Sequence, residues 1–240
     1  RISNKSSGEG SSQLPQNLVG RLHVLECTKC RGALAHRDGA LVCQNCAAEF
    51  PVRNQKIYFD SPPAHETGAA GLKERLKKLL GGKYNMMVDI LAPIYPFDAR
   101  KVIVERVDPA KNVVIDLGAG ARRVHPDIIT LDLFDYATVD IVSSLERLPF
   151  AADSIDGFVS LSLIEHLPDP FALVESLHRA SRAGGIGIHH APFLYHFHES
   201  PRDYLRFTHM GLALLFKKWR TIRVFNTAGP VSLALSLGIE

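Results

Sequence analysis

The stretch "VVIDLGAGARRVHPDIITLDLFD", Val113 to Asp135, decides how this 240-residue chain folds. It opens on aliphatic, β-branched residues and passes into Asp116-x-Gly118-x-Gly120. A strand feeding a glycine turn is how nucleotide-binding crossovers begin. Neither phosphate-binding pattern is completed, however. GxGxxG needs glycine at position 123, which is Arg123, and no Gly-Lys-Ser/Thr follows for a Walker loop. A pyrophosphate needs close backbone and a helix N-terminus together. The run "IITLDLFD" then reads as a second strand closing on Asp132, with Asp135 as a spare acid. The segment describes a nucleotide loop built for a nucleoside without phosphate.

S-adenosylmethionine fits those terms. Two close glycines, Gly118 and Gly120, let the backbone pass along its methionine part. Asp116 at the strand end can hold the ammonium group, directly or through water, and Asp132 can take both ribose hydroxyls. The downstream residues keep alternating between strand and helix. "SIDGFVSLSLI" has the apolar density of a buried parallel strand. "DPFALVESLHRASRAGG" opens on a capping Asp169 and Pro170, carries Phe171, Val174, Leu177 and Ala180 at helical spacing, and closes on Gly184-Gly185. "GIGIHHAPF" is again strand-like. The expected fold class is α/β: a Rossmann-like parallel sheet with helices on both faces.

Read in order, these segments resemble the class I S-adenosylmethionine-dependent methyltransferases. "VIDLGAG" looks like their first motif, and "LERLPFAADSIDGFVSLSLIEHLPDP" like the passage through their fourth strand, with its LPF and EHL steps. "HESPRDYLRFT" looks like a subgroup's loop after the fifth strand, and the likeness runs from about Asn112 to Trp219. The resemblance implies a methyltransferase whose adenosyl group is also flanked by Ser144, Leu145 and Leu163. Three departures stand out. Arg122 occupies the third glycine position, Pro126 cuts the first helix to a turn or two, and Ser144 replaces the acid that faces the adenine amine. A degenerate domain serving as scaffold or regulator is therefore the alternative, and Arg123 with the missing phosphate cradle weighs against a nicotinamide oxidoreductase.

All four cysteines sit in "CTKCRGALAHRDGALVCQNC": Cys27-x2-Cys30 and Cys43-x2-Cys46, joined by an arm that turns at Asp38-Gly39. Two such knuckles put four thiolates on a tetrahedron, the closed structural site that Zn²⁺ prefers. Free thiols or two disulfides are the alternatives. Gly32 follows the first knuckle, where a tight turn needs a small residue. From Leu25 to Phe59 the arrangement resembles the small zinc-ribbon proteins that activate tRNA and rRNA methyltransferases, with "EFPVRNQKIYF" as the closing strand. A ribbon this small depends on metal to fold. As a separate appendage it should lose structure on chelation and leave cofactor affinity mostly intact.

The expected organisation is a disordered tail over 1–20, the zinc ribbon over 21–60, a linker and amphipathic helix over 61–82, and the methyltransferase domain from 83 to 240, where the chain stops before the fold's last strand. The start at Arg1 reads as trimmed, and the protein is expected to continue past Glu240. The helix "LKERLKKLL" can touch RNA or membrane through its lysines, or pack its leucines and leave the lysines in water. Apolar residues at 46%, charged residues at 22% and a net charge of +3 are ordinary for a globular protein and too weak to argue for nucleic acid. No apolar run approaches the ~20 residues of a membrane span, the first residues lack the apolar core of a signal peptide, and the clustered cysteines argue against a disulfide framework, so the expected location is cytoplasmic.

Methyl transfer mostly needs a positioned nucleophile, with a base only where the acceptor must lose a proton. Candidates are Glu165 and His166 after the fourth strand and His196, His198, Glu199 and Asp203 after the fifth; His198 and His166 are the choices. His189 and His190 read as packed histidines, and Arg206 as an ion-pair partner of Asp203 or Glu199, or as a substrate contact. Aromatics and histidines from Tyr195 to Phe207 favour a small-molecule or glycan acceptor, with RNA as runner-up. The oligomeric state is open.

Overall fold

The structure, a computed structural model, describes residues 12–63, 98–193 and 202–221, with positions 79, 81, 223 and 224. The "LKERLKKLL" and "KYNMMVDILAP" helices, His196, His198, Glu199 and the C-terminal run fall outside the described residues or nearly so.

Strands β1 (Leu34–Arg37) and β2 (Ala40–Cys43) form the hairpin expected around Asp38-Gly39. Those two residues take φ +48° and +76°, the left-handed pair of a two-residue turn whose twist matches the strands. "EFPVRNQKIYF" is a second hairpin rather than one closing strand. Strand β3 (Glu49–Arg53) turns at Asn54 and Gln55, with φ +52° and +58°, into β4 (Lys56–Tyr58).

Strand β4 then joins the larger sheet. It runs parallel to β7 (Ile141–Val142), placing Ile57 opposite Ile141 and Tyr58 opposite Val142. With β5 (Val114–Leu117), β6 (Ile129–Asp132), β8 (Ile155–Leu161) and β9 (Ser181–His190), the order β1-β2-β3-β4-β7-β6-β5-β8-β9 is, among the described residues, one nine-stranded sheet. Every pairing from β4 to β9 is parallel. The ribbon is therefore continuous with the α/β sheet. Glu26 N–H donates to Pro149 O at 2.9 Å, and the buried Glu26 carboxylate takes both Arg31 and Arg179, the latter at 2.5 Å. A single apolar core contains Leu25, Leu41, Phe50 and Ile57 from the ribbon and Ile115, Leu131, Phe158 and Leu177 from the rest.

Helices cover both faces, as the alternation implied. Helix α1 (Ala99–Arg106) lays Ile103 against Val114 and Val159, while α2 (Pro170–Ala180) packs Leu173, Leu177 and Ala180 in the cluster of Ile115 and Phe158. Neighbouring strand residues point to opposite faces, so Val114 and Ile115 serve different helices. Asp169 caps α2 by accepting from Ala172 N–H at 3.1 Å, with Pro170 in the first turn. Two details differ from the sequence reading. Phe171 is 58% exposed, and Leu173 takes its place in the stripe. The helix stops at Ala180 and β9 begins at once, so Gly184-Gly185 lie in the strand, where Gly184 has φ +85°.

No helix links β5 to β6; residues 118–128 form turns, as Pro126 implied. Arg123 replaces the missing helix as an anchor. Its guanidinium donates to Asp140 at 2.6 Å, Thr138 O at 2.7 Å and Ile128 O at 3.0 Å. Buried Asp140 also accepts from Thr130 N–H at 2.9 Å and from Asn17 Nδ2 at 2.7 Å. A buried ion pair persists only where its remaining lone pairs are satisfied, and these are. Asn17 belongs to the segment read as a disordered tail. Leu14 and Leu18 from that segment instead join the core, with Leu18 fully buried. Among the described residues no helix is long and apolar enough to cross a membrane.

Candidate active site

In a parallel sheet, ligands bind beyond the carboxyl ends of the strands where the order reverses, here between β5 and β8. The opening turn occupies that point. Gly118 and Gly120 have φ +63° and +59°, conformations that side chains strain. A Cβ on Gly118 would meet Leu163 Cδ1 at 2.8 Å, whereas one on Gly120 would meet nothing within 4 Å. Gly120 N–H donates to Asp132 Oδ2 at 2.8 Å and Phe134 N–H to Oδ1 at 2.9 Å. The turn and the second acid are thus brought together, and each carboxylate oxygen keeps further acceptor capacity. A cleft of about 690 Å³ opens beside the turn, lined by Asp98, Arg100, Ala121, Arg122, Thr138 and Leu161.

Asp116 sits near the end of β5, where Arg100 takes its carboxylate. Arg100 Nε donates to its Oδ2 at 2.6 Å, and Arg100 also reaches Ala119 O at 3.4 Å. Both residues are buried. Burial pushes the Asp116 carboxyl up, and the guanidinium pulls against that. Arg100 escaped the sequence reading because it is one cation among several in "DARKVIVER". Asp135, read as a spare acid, is engaged by Lys56 and by Tyr58 Oη, the latter at 2.8 Å. Ser144 follows β7, and its N–H donates to Asp60 Oδ2 at 2.8 Å. Leu145 is buried and Leu163 half-buried, lying against the turn.

After β8 a single 3-10 turn, Ile164–His166, carries Glu165 and His166. The Glu165 carboxylate is fully buried with no hydrogen-bond partner among the described residues, and burial pushes its pKa up. Its backbone oxygen accepts from Tyr204 N–H at 2.9 Å and Leu205 N–H at 3.2 Å, docking the loop after β9. His166 holds the same loop: its Nδ1 lies 2.5 Å from Arg202 O, and its Nε2 lies 3.9 Å from Glu165 Oε1. Arg206 pairs with Asp203 through both guanidinium ends, which supports the ion-pair reading of that loop.

His189 is packed, as expected. Its Nδ1 is 2.8 Å from Ser160 Oγ, and its ring stacks on Phe216 with centroids 4.3 Å apart. Burial pushes its pKa down from 6.5 to about 4. The unfolded chain therefore binds the extra proton between those values, so stability is full above pH 6.5 and lost as pH falls towards 4. From pH 7 to 4.5 the protein should lose of order 2 kcal/mol more than His189→Gln. Urea melts at each pH measure this, and parallel pH profiles for the two proteins would remove the assignment.

The cysteine cluster fits a tetrahedral ion. All four sulfurs lie within 4.8 Å of one another, with Cys27–Cys46 at 3.7 Å and Cys30–Cys43 at 3.4 Å. Zn–S bonds of ~2.3 Å give tetrahedral edges of about 3.8 Å. No disulfide joins them. Lys29 and Asn45 N–H groups donate to Cys27 and Cys43 sulfurs at 3.4 Å each. The left-handed residues of the two knuckles are Arg31 and Ala47, not Gly32. Gly32 is needed because a Cβ there would stand 2.7 Å from Asn45 Cβ and 3.0 Å from Cys43 Sγ.

Residues 102–188 match the family described as a methyltransferase domain. No curated protein matches the chain. Among solved structures it is similar to a complex between the Haloferax volcanii Trm112 methyltransferase activator and a methyltransferase, at 17% identity and a TM-score of 0.37 over 60% of this chain and 72% of that one. It is also similar to an Aquifex aeolicus SAM-dependent methyltransferase, at 16% identity and 0.41 over 61% and 86%. A third is Haemonchus contortus phosphoethanolamine N-methyltransferase 2 with S-adenosyl-L-methionine, at 19% and 0.40 over 63% and 44%. Overlaps this loose carry no argument about ligand or partner.

Proposed function

We propose, for a chain whose residues 102–188 form a methyltransferase domain, that the crevice over Gly118–Gly120 binds S-adenosylmethionine and that the chain methylates a small organic molecule or a glycan. One observation carries the reading: two left-handed glycines at the switch point, one of them donating at 2.8 Å to the Asp132 carboxylate. Asp132 takes the ribose hydroxyls. The glycine turn and Leu163 border the methionine part, and Ser144 and Leu145 the adenine. Asp116 acts through Arg100, which it holds at the cleft that Arg122 also lines, so the two cations face the amino-acid end. When bound there, the cofactor supplies an electrophilic methyl group on a sulfonium that leaves as a neutral thioether. His198 and His166 accept the acceptor's proton, and Glu165 Oε1 lies 3.9 Å from His166 Nε2.

The pairing of Arg206 with Asp203 neutralises a cation of the acceptor loop, which favours a small neutral acceptor over an RNA phosphate. Four thiolates leave no open coordination position, so the metal is structural zinc. A second reading, a cofactor-fold scaffold, draws on Arg100 engaging Asp116 and on serine at position 144. Calorimetry with S-adenosylmethionine and S-adenosylhomocysteine decides. Saturable binding in the micromolar range is expected, and no heat at millimolar ligand would leave the scaffold.

A further inference from the structure

Strand β4 presents Lys56 and Tyr58 on one face and is continued by Asp60 on the same face, while Ile57 and Phe59 point into the core. All three outward residues reach the loops that frame the crevice. Lys56 Nζ donates to Asp135 and, at 2.7 Å, to Tyr136 O, and Tyr58 Oη donates to Asp135. These contacts hold the segment just after Asp132. The register then places the strand ends level. Asp132 pairs with Val142, Val142 with Tyr58, and two residues further along lie Ser144 and Asp60 side by side. Asp60 accepts from Ser144 N–H at 2.8 Å and from Ser143 Oγ at 3.4 Å, both through Oδ2. The residue is solvent-exposed, and its Oδ1 accepts nothing among the described residues.

We propose that Asp60, carried by the ribbon's last strand, supplies the carboxylate that accepts the adenine amine, replacing the acid missing at Ser144. The proposal rests on the cofactor reading above and assigns a specificity-determining residue within it. A serine hydroxyl can point a lone pair or a hydrogen at the ring, so it distinguishes amine from carbonyl poorly. A carboxylate can only accept. Against Asp60 an exocyclic amine makes a charge-assisted hydrogen bond, whereas a carbonyl at the same ring position sets two acceptors face to face. The ribbon would then do more than brace the sheet. It would contribute one wall of the site and tie recognition of the base to the folding of the cysteine cluster.

The test compares two probes by calorimetry: S-adenosylhomocysteine and S-inosylhomocysteine, which differ in amine against carbonyl. Wild-type protein is expected to prefer the adenosyl compound by at least about tenfold. Asp60→Asn keeps an acceptor for Ser144 N–H but can turn an amide N–H towards the ring, and should cut that preference to about threefold or less. Asp60→Ala should do the same through weaker adenosyl binding, with bound zinc and melting temperature as folding controls. Asp60→Asn retaining the full wild-type preference overturns the assignment. So does an equal loss of affinity for both probes, which would mark Asp60 as a brace for the Ser144 loop alone. Wild-type protein binding neither probe overturns the cofactor reading itself and this assignment with it.

Discussion

Replacing Asp132 by alanine is expected to weaken S-adenosylhomocysteine binding at least about 100-fold, towards the limit of calorimetric detection. Two hydroxyl hydrogen bonds to a charged acceptor are each worth roughly 1.5–3 kcal/mol, and every 1.4 kcal/mol is about tenfold in affinity. Part of the loss arises inside the protein. Gly120 N–H and Phe134 N–H both donate to this carboxylate, so alanine also frees the turn whose shape the cofactor needs. Asp132→Asn separates the two contributions. It retains an acceptor for the backbone but offers the ribose an amide, and should still lose about tenfold or more. Unchanged affinity in both variants would refute the ribose role, while a lowered melting temperature with intact binding would leave Asp132 a purely structural acid.

Removing the metal is the second large effect. Metal analysis should find one zinc per chain, and chelation or Cys43→Ser should lower both stability and cofactor affinity, the latter by about tenfold or more. Read as a separate appendage, the ribbon had been expected to unfold alone. The sheet argues otherwise, since β4 pairs with β7 and Leu41 and Phe50 share the core that holds Ile115 and Phe158. Structural zinc contributes on the order of 10 kcal/mol to small cysteine sites, enough for the ribbon's fold to depend on it. Its loss exposes the β7 edge and releases Lys56 and Tyr58 from the loop beside Asp132. The measurements are a thermal melt and calorimetry with S-adenosylhomocysteine before and after chelation, with zinc re-addition as the control. Affinity unchanged in a chain whose ribbon has melted would show the two parts to be independent. A chain holding two disulfides and no zinc would remove the metal site altogether.

How much of this was legible can be judged residue by residue. The strands ending at Leu117 and Asp132, the Asp38-Gly39 turn, the capped helix after Asp169 and the cysteine cluster follow from local pattern, because each depends on neighbours within a few positions. Phe171 was misassigned because helical spacing gives a period but not the phase of the stripe, which the sheet beneath selects. Asn17 reads as tail because it follows the polar run from Arg1 to Gln13, and the nearby Leu14 and Leu18 are too few to set a period. Its partner Asp140 lies 123 residues away.

The amino-acid sequence by itself determined an α/β sheet, a double-glycine turn after its first strand and a four-cysteine cluster, since these are written in periodicity, backbone freedom and residue spacing. Only the tertiary structure decided that ribbon and larger domain share one sheet, that Arg100 claims Asp116, and that Asp60 lies beside Ser144. Each of those is a meeting of side chains or edges from distant segments. Such a meeting depends on register and on which strand edge is open, and no local pattern in the chain encodes either.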